Sequence, residues 1–259
     1  MGTARPSTLV DRLRGDVRQR PVVDRGLAGG LRAWLEDGVA TAGPADGDGW
    51  PVVVDRRALT AVGDGRSGPP TVTQLRGAMV GRLFGQVVLT GQIGNPVDDA
   101  LASMDAAGRS ELVAFARRLR GPERRALYAE VNRQATTMAG QWSSVAPGWL
   151  PRVGARMNVP LAGGRVVLRA VADLVLGDPS DGQASVCLVD VRTGDPHPAH
   201  PKERRFLALL ETVRSGAPPF RAATYYPALG ELVVDDVDDR LLATAVDDVL
   251  GTDPLRGRG

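Results

Sequence analysis

Two carboxylates set inside apolar runs are the residues of this 259-residue chain best suited to chemistry. Asp173 lies in VADLVLG at 171–177, and Asp190 stands two residues before Arg192 in CLVDVRTG at 187–194. Both runs read as strands. Alternation along 165–176 puts Val166, Leu168, Ala170, Ala172 and Leu174 on one face and Arg169, Val171, Asp173 and Val175 on the other. Along 185–192, Val186, Leu188, Asp190 and Arg192 share a face opposite Cys187, Val189 and Val191. Paired as a meander, the two strands bring Asp173 and Asp190 together. Two carboxylates in an apolar setting require a cation, and either Arg192 or a bound divalent metal would supply it. The purely structural alternative is an internal ion pair of Asp173 with Arg169 or Arg192.

The elements that must hold these residues follow from periodicity and turn signals. Residues 156–160 and 165–176 are extended and joined by a turn at 161–164 containing Gly163 and Gly164. A helix over 199–214 carries Phe206, Leu209, Leu210 and Val213 on one face and stops at Gly216. Strands at 220–226 and 231–235 come next, and Val237, Leu241, Leu242, Ala245, Val246 and Val249 mark a last amphipathic helix. Upstream, a Val-rich strand at 51–55 sits between loops at 44–50 and 63–70. Helices are expected near 27–35, with Leu27, Leu31, Trp34 and Leu35 on one face, and over 73–89, 98–119 and 122–142. In the 73–89 helix Gly77, Gly81 and Gly85 recur every fourth residue, which implies close approach of another element. Arg117, Arg118, Arg120, Arg124, Arg125 and Arg133 fall on exposed sides and read as a solvated face partly balanced by Glu123 and Glu130. The fold class is α/β: a mostly helical region over 1–150, a sheet-bearing core over 151–251 and a flexible tail at 252–259.

Composition narrows the function. A 43% hydrophobic chain of this length can bury a substantial core. No apolar run approaches the roughly 18 residues that span a bilayer, and the first twenty residues lack a signal-peptide core, so a cytoplasmic protein without a membrane partner is expected. The single cysteine, Cys187, excludes an internal disulfide framework and leaves any metal to oxygen ligands. With 32 basic and 30 acidic residues the net charge is only +2, so no global field announces nucleic acid. Lys202 is the only lysine, and the Arg, Ala, Gly and Val bias implies GC-rich bacterial coding.

These segments resemble the PD-(D/E)XK nuclease superfamily, in particular its RecB-like branch. VADLVLG at 171–177 looks like the strand bearing the first metal-binding Asp, and CLVDVRTG at 187–194 like the D/E-x-K strand with its Thr-Gly turn. KERRFLALLETVRSG at 202–216 and RAATYY at 221–226 look like the helix and strand that follow, and LRGAMVGRLF at 75–84 resembles, less closely, the early helix. The resemblance implies the mixed β-sheet of a restriction-endonuclease-like core flanked by helices. It also implies a metal-dependent DNA nuclease that hydrolyses phosphodiester bonds. Asp173 and Asp190 would hold Mg²⁺ or Mn²⁺ with Glu203 nearby, the Val191 carbonyl would complete the shell, and Arg192 would orient water or phosphate. Three departures from the pattern stand out: Arg192 stands where the family carries its catalytic Lys, Gly81 where it carries a metal-binding His, and the pair Glu203 and Leu207 where Gln and Tyr often stand. An arginine keeps the charge, but with a pKa above about 12 it cannot act as a base. The departures imply an alternative, a catalytically inactive nuclease-fold protein that binds nucleic acid or a protein partner.

Other candidates carry less. His197 and His200 lie in GDPHPAHP, which reads as a surface loop, and Cys187 reads as core packing. Tyr225 and Tyr226 cannot both face one core, so one is expected half-exposed and could stack on a base. Asp235, Asp236, Asp238 and Asp239 read as a charge cluster at a helix start.

Overall fold

The computed structural model describes residues 9–14, 21–24, 26–42, 51–60, 68–179 and 183–256. Its helices are α1 (Leu9–Arg14), α2 (Leu27–Ala42), α3 (Arg56–Thr60), α4 (Val72–Thr90), α5 (Pro96–Ala106), α6 (Ser110–Arg118), α7 (Gly121–Gln141), α8 (Ala199–Ser215), α9 (Asp239–Leu250) and α10 (Asp253–Arg256). Its strands are β1 (Val52–Val54), β2 (Arg152–Leu161), β3 (Val166–Leu176), β4 (Cys187–Val191), β5 (Arg221–Tyr226) and β6 (Glu231–Asp236), all in one mixed sheet. β2, β3 and β4 form an antiparallel meander. β5 then runs parallel to β4, as the α8 crossover between them allows, and β6 returns antiparallel.

Helices cover both faces of the sheet. On one face Leu75, Met79, Leu83 and Phe84 of α4 and Leu127, Val131 and Met138 of α7 pack with Leu174, Val189 and Tyr225. On the other, Leu31 and Leu35 of α2, Phe206 and Leu210 of α8 and Val246 of α9 pack with Leu168, Leu188 and Ala222. Two covered faces explain why Tyr225 and Tyr226 are both buried, contrary to the expectation that one stays half-exposed. Tyr225 packs edge-on to Trp142 and donates its hydroxyl proton to Gln141 Oε1 at 2.8 Å, while Tyr226 faces α8 and meets His200. Among the described residues, no helix is long and apolar enough to cross a membrane.

Several sequence expectations change. The single helix expected over 98–119 is two, α5 and α6, because Gly108 adopts φ 71° and the Arg109 N–H closes back on the Met104 carbonyl. Strict alternation fails in β3: Ala172 joins the α8-side core, whereas Leu174 and Leu176 join the α4-side core. The pairing of β2 with β3 skips one position there, where Gly154, at φ 63°, stands opposite Asp173. A left-handed residue that only glycine adopts cheaply thus lets both strands turn over together. The tail expected to be flexible from 252 begins instead with buried Thr252 and with α10, whose Leu255 is buried in the α8-side core. Trp34 is exposed although Leu31 and Leu35 beside it are buried. The loop at 44–50 and most of that at 63–70 lie outside the described residues.

The glycine row of α4 divides in a testable way. A Cβ on Gly85 would come within 2.6 Å of Val153 Cγ1, whereas nothing lies within 4 Å of one on Gly81. Gly81→Ala should therefore stabilise the protein by up to about 1 kcal/mol through helix propensity, and Gly85→Ala should destabilise it by about 1–3 kcal/mol through overpacking. Urea denaturation of the two variants checks the opposite signs.

Candidate functional site

The site begins with a strand that changes neighbours. β2 occupies one edge of β3 from Val166 to Val175, so β1 and β4 must share the other. β1 pairs with Val166, Val167 and Leu168, and β4 pairs with Leu174, Val175 and Leu176. Between the two ladders, residues 169–173 of β3 face a gap in the sheet. Main-chain polar groups at such a gap need partners other than a strand. Asp173 and Arg56 provide them: Asp173 Oδ2 accepts the Val191 N–H at 2.7 Å, and Arg56 Nη2 donates to the Val171 carbonyl at 2.7 Å.

The same guanidinium completes a charge cluster. Arg56, the first residue of α3 and two beyond the end of β1, donates from Nη1 to Asp190 Oδ1 at 2.6 Å. Arg192 Nε lies 2.7 Å from Asp190 Oδ2, an ion pair without hydrogen-bond alignment, and Arg192 Nη2 pairs with Glu203 of α8. Asp190 is only 2% exposed. Next to it, His200 shares a 2.8 Å hydrogen bond with the Tyr226 hydroxyl, and Arg204 bridges Thr224 and Asp235.

Burial and the neighbouring Asp190 charge push the Asp173 carboxyl up to about 7. Burial also acts on Asp190, but the Arg56 and Arg192 charges outweigh it and hold that carboxyl below its usual range. Burial, then Arg192, draws His200 down to about 4, so its ring is neutral near pH 7. Below about pH 7, therefore, the two guanidiniums face two anions, Asp190 and Glu203, while Asp173 carries a proton.

The sequence-derived candidates meet here, in altered roles. Asp173, Asp190 and Arg192 are brought together, with Glu203 beside them. Val191, expected to offer its carbonyl to a metal, offers its N–H to Asp173. Arg169 is exposed, and the partner that sequence reasoning missed is Arg56, from a segment without a recognisable motif. The available signal was charge: a second carboxylate beside Asp190 and Arg192 leaves an unpaired anion unless another cation arrives. His200 belongs to the first turn of α8 rather than to a surface loop. Asp235 and Asp236 pair with Arg204 and Arg221 from β6, and only Asp238 and Asp239 mark the start of α9. Cys187 is buried in the α4-side core as expected.

A divalent cation does not fit this donor set. Both oxygens of Asp190 are held by guanidiniums and one oxygen of Asp173 by a main-chain N–H. Among the described residues, no group of three or more His, Cys, Asp or Glu side chains is placed to hold a metal ion. What the arrangement does chemically is neutralise buried carboxylates and pair main-chain groups at a break in the sheet. In comparisons with known proteins, the chain matches no family model and no curated protein.

Two outcomes follow. Arg56→Met should destabilise the fold by about 3 kcal/mol in chemical denaturation, since it leaves a buried charge short of a partner, and Arg56→Lys should recover only part because a point charge cannot reach two acceptors. The pH dependence has a definite sign. A carboxyl raised from 3.8 to about 7 on folding binds more protons in the folded state between those values, so its contribution to stability is lost as pH rises through that window. Asp173→Asn should remove that slope, giving a stability that rises relative to wild type from pH 4 to 7 and runs parallel above. A difference curve that is flat over this window would contradict the assignment.

Proposed function

We propose that this chain is a catalytically silent relative of the RecB-like PD-(D/E)XK nucleases, acting in the cytoplasm by binding rather than by hydrolysis. The observation that carries the reading is Asp190, whose two oxygens lie against Arg56 and Arg192 where the resemblance would have a divalent ion. Arg192 cannot serve as the base that a lysine could supply, because its pKa lies above about 12. The order of elements supports the kinship: helix α4, the meander β2–β3–β4 with Asp173 and Asp190 on its last two strands, then α8 and β5 parallel to β4. Gly81, at the position that resembles the family's histidine, leaves open space on α4 and offers no ligand.

Thermal denaturation with and without Mn²⁺ or Mg²⁺, beside a DNA cleavage assay, tests this. Wild type should show no cation-dependent rise in Tm at millimolar metal and no cleavage, and Arg192→Lys should be equally inert while Arg56 still holds Asp190. A rise in Tm or a cleavage activity that Asp190→Asn abolishes would restore the metal-dependent nuclease reading.

A further inference from the structure

The turn from α6 to α7 reads RRLRGPERR over 117–125, five arginines against one glutamate. Arg117, Arg118, Arg120, Arg124 and Arg125 are all exposed, and Arg109 at the start of α6 is exposed too. Arg120 turns its Nη1 onto the carbonyls of Arg117 and Leu119 and so closes the end of α6. The other arginines form no ion pair among the described residues. Glu130, which the sequence suggested would balance them, is taken by Arg133 and Gln134. Arg124 moreover closes the first turn of α7 and Arg125 follows it, near the helix end whose dipole disfavours a cation. Like charges this close repel one another, and within this turn Glu123 alone stands against them.

We infer that this corner binds the phosphodiester backbone of a nucleic-acid duplex, which builds on the reading of the chain as a binding protein. Charge complementarity points to a polyanion, and the rest of the surface selects among polyanions. Among the described residues, no exposed large apolar side chain lies within 105–125. The corner therefore lacks the apolar and aromatic anchors through which protein interfaces gain affinity. Its nearest aromatic rings, Phe115 and Tyr128, are packed against the α4-side core rather than displayed as the open platform on which single-stranded bases stack. Guanidiniums alone suit phosphates, read without regard to base sequence.

The test is fluorescence anisotropy of the full chain with random-sequence duplex DNA and duplex RNA over a series of salt concentrations. Binding to either duplex should weaken steeply with salt, with a log–log slope for DNA of about −3.6 if four phosphates are neutralised. Arg117→Glu/Arg118→Glu and Arg124→Glu/Arg125→Glu should each lower affinity about tenfold or more and flatten the slope. The second pair should keep or raise Tm, because acids suit a helix start, and Arg124→Gln/Arg125→Gln should give an intermediate loss of affinity. Affinity unchanged by charge reversal, no duplex binding at low salt, or capture of polyglutamate without capture of either duplex would each overturn the inference. Cleavage by the wild type would bear on the sheet-gap cluster alone and leave this result standing.

Discussion

A strand that changes neighbours along its length leaves main-chain groups facing a gap, and in this protein a single guanidinium spans that gap. Arg56 sits just beyond β1, which pairs with the first part of β3, and reaches Asp190 on β4, which pairs with the last part. One side chain thus ties together the two strands that share an edge of β3 without touching each other's ladders. Its second bond, to the Val171 carbonyl, satisfies the strand in between. The carboxylates, the turn-over of β3 opposite Gly154 and the position of α3 all make sense around that contact.

Why arginine serves here follows from electrostatics. A divalent cation beside Asp173 and Asp190 would need both carboxylates ionised and facing it. With Arg56 and Arg192 on Asp190 and Glu203 on Arg192, the buried charges already balance once Asp173 holds a proton. A guanidinium brings a fixed fork of donors and a charge that is never lost, which suits a structural role and excludes general-base work. In a buried ion cluster of this kind, removing one charged member such as Arg56 strands its partner and is costly.

Much of this was legible in the amino-acid order. The period-two runs around Asp173 and Asp190, the crossover helix with Phe206 and Leu210, and the two closing strands are local patterns, and each formed nearly where it was read. What failed was what local patterns do not encode. Alternation predicted one face for residues 166–174, yet Gly154 on a neighbouring strand lets β3 turn over after Ala172. Tyr225 and Tyr226 were read as competitors for one core because a strand alone does not reveal that both faces of its sheet are covered. Arg56 lies 134 positions from Asp190, so no spacing rule could join them. The residue types called for a cation, met on paper by Arg192 or a bound metal, and nothing in them named Arg56.

The central claim is that Arg56 and Asp190 act as one unit in the folded protein. A double-mutant cycle of Arg56→Met and Asp190→Asn, read by chemical denaturation, measures their coupling directly. The expected result is a coupling of about 1.5 kcal/mol or more, with the double variant more stable than the sum of the single losses would allow. Single losses that add to within about 0.5 kcal/mol would show the two residues to be independent and would contradict the account.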